Sequence, residues 1–73
     1  MSTDPCTEKK RRFGQRIREI RTALGYSQEA LALASGLDRS YIGGVERGER
    51  NVSLVNIYKL AETLKISPKD LFE

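Results

Sequence analysis

A chain of 73 residues makes one small domain and leaves no room for a deep catalytic pocket, since domains run from roughly 50 to 200 residues. It holds no histidine and a single cysteine, Cys6, which excludes an internal disulfide and a Cys/His zinc site. The formal net charge is +3, but residues 1–25 carry seven Lys/Arg against three Asp/Glu, residues 26–51 three against four, and residues 52–73 three against three. No apolar run approaches the ~18 residues of a membrane span, and the N-terminus lacks the apolar stretch of a signal peptide, so a reduced, cytoplasmic setting without membrane contact is expected.

Residues 1–7 show no periodic apolar pattern and contain Pro5, and read as a loose tail ahead of a domain over 8–73. From Glu8 to Leu24, the residues Phe13, Ile17, Ile20 and Leu24 recur every three or four positions, the stripe of an amphipathic helix. Gly25 ends it as a left-handed residue would. The basic run Lys9-Lys10-Arg11-Arg12 falls on this helix or its approach. It suits both phosphate attraction and a plain solvated helix end.

A second helix is predicted over Gln28 to Ser35, with Ser27 as its N-cap. Leu31 and Ala32 face inward, and the small Ala32 lets a steeply crossing helix approach. At Gly36 the chain must turn with φ > 0, which is cheap only without a Cβ. Asp38 is placed to cap a third helix from about Arg39 to Arg47, pinned to the core by Ile42 and Val45. Arg39, Ser40, Gly43, Gly44 and Arg47 are then expected to point outward, a surface that suits a polyanion better than bulk water. Each helix-interior glycine costs about 1 kcal/mol relative to alanine. Gly43 and Gly44 therefore allow either close approach to a groove or close packing on a neighbouring helix. Two short helices joined by this turn at 27–47 are the helix-turn-helix geometry, which lays its second helix in the major groove of DNA.

Gly48 to Asn51 reads as a loop, with Asn51 or Ser53 capping a fourth helix from about Leu54 to Lys65. Leu54, Ile57, Leu60, Ala61 and Leu64 share one face of it. Ser67-Pro68 signals the start of a fifth, short helix through Leu71 and Phe72. The expected fold is all-α: five short helices, no strands and no repeats.

Over about residues 12–72 these residues resemble the Cro and lambda-repressor type of helix-turn-helix proteins. The stretch Leu37 to Ser53 is most similar to the controller proteins of bacterial restriction-modification systems. The resemblance implies a compact lambda-repressor-like DNA-binding domain. It implies a homodimer on a palindromic double-stranded operator upstream of its own gene, first activating and then repressing, with contact to RNA polymerase where it activates. Gln28 matches a glutamine that touches a backbone phosphate. Arg39 and Ser40 match positions contacting bases and phosphates, and an arginine there can hydrogen-bond twice to guanine O6 and N7. Tyr41 matches a position that meets thymine methyls or phosphate, with partial core packing as its other reading. Arg47 lies two turns after Arg39 on roughly the same face, and Arg50 and Asn51 match a backbone or minor-groove contact region. If Gly44 faces the groove, specificity leans on Arg39 and on DNA shape. Arg21 and Glu46 match a buried salt bridge between the first and third helices.

A dimer with recognition helices about 34 Å apart reads successive major grooves. Val55, Tyr58, Leu71 and Phe72 are the candidates for its interface, with completion of the core as their other reading. A competing function is an antitoxin-like or phage Cro-like repressor whose main partner is another protein. An enzyme is not expected, because there is no histidine, the lone cysteine is in the tail, and no carboxylate pair stands at a cleft-like position. No cofactor or metal is expected either.

Overall fold

The computed structural model describes residues 5–72. It contains α1 (Pro5–Ala23), α2 (Gln28–Ser35), α3 (Arg39–Glu46) and α4 (Leu54–Leu64), followed by a 3₁₀ turn over Pro68–Phe72. α1 lies against α3 and the 3₁₀ turn, and α2 against α3 and α4.

α1 begins at Pro5, three residues before the start expected at Glu8. Proline is tolerated in a first helical turn because the N–H it lacks is unpaired there in any case. Residues 1–4 of the expected tail lie outside the described residues. α1 stops at Ala23, so Leu24 falls beyond the helix and is exposed, while Ile17 is fully buried and Phe13 and Ile20 pack around it.

The core is Ile17 from α1, Leu31 and Ala32 from α2, Ile42 and Val45 from α3, Leu60, Ala61 and Leu64 from α4, and Leu71 from the 3₁₀ turn. Every element thus contributes at least one side chain to a single cluster, which suits a chain too small for two cores. Leu71 has no exposed surface and so cannot serve as the interface residue expected from the sequence. The last turn must close the bottom of the core, and Leu71 is the residue that fills it. Arg16 Nε donates to the Asp70 carbonyl at 2.8 Å, and the Phe13 and Phe72 rings stand 5.3 Å apart. Together they fasten the last turn to α1.

The caps carry the helix boundaries. Ser27 and Ser53 accept hydrogen bonds from the Ala30 and Asn56 N–H groups, satisfying donors that the first turns of α2 and α4 leave open. Asp38 has the extended backbone of an N-cap, but its side chain makes no capping bond. At the last turn the bond runs the other way from the one expected of Ser67: the Asp70 carboxylate reaches back to the Ser67 N–H at 3.2 Å. That is one half of a capping box.

α2 ends in a Schellman closure. Gly36 has φ +74°, and the Leu37 N–H reaches the Ala32 carbonyl at 2.9 Å. α4 ends the same way, with Ile66 N–H on the Ala61 carbonyl at 3.0 Å, but the left-handed residue is Lys65 at φ +57°. A side chain is strained there. Lys65→Gly is therefore expected to stabilise the fold by about 0.5–1 kcal/mol, seen as a raised unfolding midpoint in urea.

Candidate nucleic-acid interface

α3 owes its position to two contacts with α1. The first is steric. At Gly14 the backbones of α1 and α3 touch: a Cβ there would collide with the Val45 carbonyl oxygen and lie 3.0 Å from Glu46 Cα. The second is polar. Arg21 Nε and Nη2 donate to Glu46 Oε2 and Oε1 at 2.6 and 3.0 Å, a two-pronged pair whose side chains are only 10% and 5% exposed. Arg21 Nη1 also donates to the Tyr26 carbonyl at 2.8 Å, and Gln28 Nε2 to Glu46 Oε1 at 3.0 Å. The network ties α1, the loop after it, the start of α2 and the end of α3 into one unit. Among the described residues, no buried side-chain nitrogen or oxygen lacks a hydrogen-bond partner.

With Ile42 and Val45 turned inward, the opposite side of α3 faces out. Arg39 and Ser40 are exposed at its first turn, and Arg47, Arg50 and Asn51 are exposed at and beyond its end. Of the basic run of α1, Arg11 adjoins the segment after α3: a Cβ built on Gly48 would lie about 3 Å from the Arg11 backbone. Gln28 is half-buried. Tyr41 is also half-buried, packed on the core; its hydroxyl accepts from Asn56 Nδ2 at 3.1 Å, which links α3 to α4.

Gly43 and Gly44 are not on the open surface expected for them. Both are buried, chiefly under arginines that follow them in the chain, with Gln28 Oε1 of α2 also 3.8 Å from the Cβ position of Gly43. The Arg47 guanidinium lies over Gly43 and the Arg50 stem and Nε over Gly44, each 3.1 Å from where a Cβ would be. The missing side chains let two arginines lie flat on the helix. Arg50 continues onto the Tyr41 ring, its guanidinium carbon 5.9 Å from the centroid.

Each of the other two arginines has a carboxylate beside it. Arg47 Nε and Nη2 donate to Glu49 at 3.0 and 3.2 Å; this hydrogen bonding raises the Arg47 pKa and lowers that of Glu49. Arg39 Nε lies 3.6 Å from Glu29 Oε1. Glu29 and Glu49 were not among the expected site residues. Their one trace in the sequence is the acidic excess of residues 26–51, where four carboxylates accompany three arginines.

The helix-turn-helix family profile matches residues 17–71, which take in Gly36 and all of α2, α3 and α4. The chain belongs to the helix-turn-helix family. This helix-turn-helix protein is thus a DNA-binding transcription regulator and not an enzyme. It is 50% identical over 62 residues to Control protein C.BamHI of Bacillus amyloliquefaciens, covering 84% of this chain and 76% of that one. The crystal structure of the restriction-modification controller protein C.AhdI from Aeromonas hydrophila matches it with a TM-score of 0.87 at 68% identity, over 89% of this chain and 98% of the other. The structure of SinR, a master regulator for biofilm formation solved in complex with DNA, matches at a TM-score of 0.80 and 34% identity, over 84% and 98% of the two chains. The helix-turn-helix protein therefore sits among the controller proteins. Of its described helices, none is long and apolar enough to cross a membrane.

Proposed function

We propose that two copies of this chain bind a palindromic operator upstream of its own gene, in the cytoplasm, as an activator and then a repressor. The observation that carries this is the outward side of α3. Arg39, Arg47 and Arg50 are gathered there while the inward side is locked to the body by Gly14 and the Arg21–Glu46 pair. A rigid helix presenting arginines is what reading base edges from the major groove requires. Arg39 at the leading turn is the base reader, with Ser40 and Tyr41 beside it. Gln28, Arg47, Arg50 and Asn51 hold phosphates and set the register. Gly44 contributes by seating Arg50 rather than by touching DNA.

Val55 and Tyr58 are 63% and 50% exposed on α4, one turn apart, and Leu54 beside them is 68% exposed. They form the dimer surface, with Phe72 as a further member. Activation adds a contact to RNA polymerase. The similarity to controller proteins supports the operator and the dimer.

The test is a titration of purified protein onto the DNA upstream of its own gene and onto scrambled DNA, at two salt concentrations. Cooperative, sequence-selective binding is expected, with Arg39→Ala losing about 1–3 kcal/mol of discrimination. Equal, steeply salt-dependent binding to both duplexes would reduce the interaction to phosphate attraction and sink the operator reading.

A further inference from the structure

We infer that Glu29 is a positioning residue for Arg39, holding its guanidinium so that the two terminal nitrogens point outward to a guanine. The inference rests on the base-reading role proposed for Arg39. The helix-turn-helix brings the first turns of α2 and α3 together, so Glu29 and Arg39 meet although ten positions apart.

The two arginine–carboxylate pairs of this surface differ in form. Glu49 takes both Nε and Nη2 of Arg47, and Nη1 lies against Gly43. That guanidinium is engaged on its side and along its length. Glu29 approaches Arg39 at Nε, and among the described residues Nη1 and Nη2 of Arg39 make no hydrogen bond to protein. Nη1 and Nη2 are the end-on pair of donors, spaced for O6 and N7 of guanine. A carboxylate at Nε steadies a long, rotamer-rich side chain without consuming the donors that read the base. Both side chains are well exposed, so the pair adds little to folding and its contribution lies in orientation. Glu29 also stands in the first turn of α2, where an acidic side chain suits the helix dipole. That role alone would leave base preference untouched.

A site is first selected from a pool of random duplexes by the wild-type protein. Each of its guanines is then replaced in turn by 7-deazaguanine, which lacks the N7 acceptor. The affinity ratio between parent and substituted duplex is measured for wild type, Glu29→Ala, Arg39→Ala and the double variant. Taking the ratio within one variant cancels the general gain in phosphate attraction from removing a negative charge. At one guanine per half-site, Glu29→Ala is expected to shrink the ratio by about twofold to fivefold. Arg39→Ala is expected to abolish it there, and the double variant to match Arg39→Ala. An unchanged ratio in Glu29→Ala, with all affinities shifting together, would overturn the inference and leave Glu29 a repulsive charge. A double variant whose ratios differ from those of Arg39→Ala at any guanine would overturn it too, since Glu29 would then act by another route. If Arg39→Ala keeps every ratio, the base-reading role of Arg39 itself has failed, a result distinct from failure at Glu29. Far-ultraviolet circular dichroism of each variant confirms that α2 is intact.

Discussion

Glu46→Ala is expected to cost about 3–5 kcal/mol of folding stability, because it strands a buried guanidinium. Arg21 keeps one acceptor, the Tyr26 carbonyl, and loses both prongs of its pair; Gln28 loses its acceptor as well. A domain of 73 residues holds about 4–11 kcal/mol in total, so the variant is left close to its unfolding threshold at physiological temperature. A melting curve by circular dichroism should fall by roughly 4–8 °C for each kcal/mol lost. The informative companion is Arg21→Met with Glu46→Leu. Removing both charges leaves no orphan, and apolar replacements of a buried pair are often neutral or better. A double variant as unstable as Glu46→Ala would show that packing, and not the stranded charge, carries the effect.

Gly14→Ala adds one methyl group and is expected to lose about 3 kcal/mol, the upper end of the usual range for overpacking. The reason is what the methyl meets. At Gly43 and Gly44 the nearest atoms belong to arginine side chains that can swing away; at Gly14 they are the Val45 carbonyl and the Glu46 backbone, which cannot. α1 and α3 must separate, and the Arg21–Glu46 pair spans the same crossing, so both contacts yield together. Alanine is ordinarily the better helix former by about 1 kcal/mol, which sharpens the test. A rise in melting temperature for Gly14→Ala would mean the two backbones are not in contact.

Signals that act over a few residues were legible in the sequence. Ser27, Gly36 and the spacing of Leu31, Ala32, Ile42 and Val45 place α2 and α3 because caps, turns and helical periodicity are local rules. Signals that depend on distant partners were not. Nothing near Gly14 marks it as a crossing point, since the carbonyl that forbids a side chain there belongs to a helix far along the chain. Leu71 and Phe72 look alike in sequence, yet one seals the core and the other is 60% exposed. Only the direction of the last turn separates them. Gly43 and Gly44 fall on the outward side of α3 by periodicity and are nonetheless buried, because arginines one turn or more ahead fold back over them. Pro5 has two local meanings, breaker and helix opener, and here it stands at the start of α1. For the interface, the arginines were legible as cations near a turn, but Glu29 meets Arg39 only because α2 and α3 lie side by side, whereas Glu49 stands two residues from Arg47.

α3 has a poor claim to being a helix on its own account. It is eight residues long, well under the ~12–15 that a solitary helix needs in water, and it spends two of them on glycine and three on Tyr41, Ile42 and Val45. Its shape is borrowed from the body through Gly14 and Glu46. The reading surface is therefore not a detachable part: a peptide of residues 38–47 is coil, and a chain that has lost its core has lost its grip on sequence in the same event.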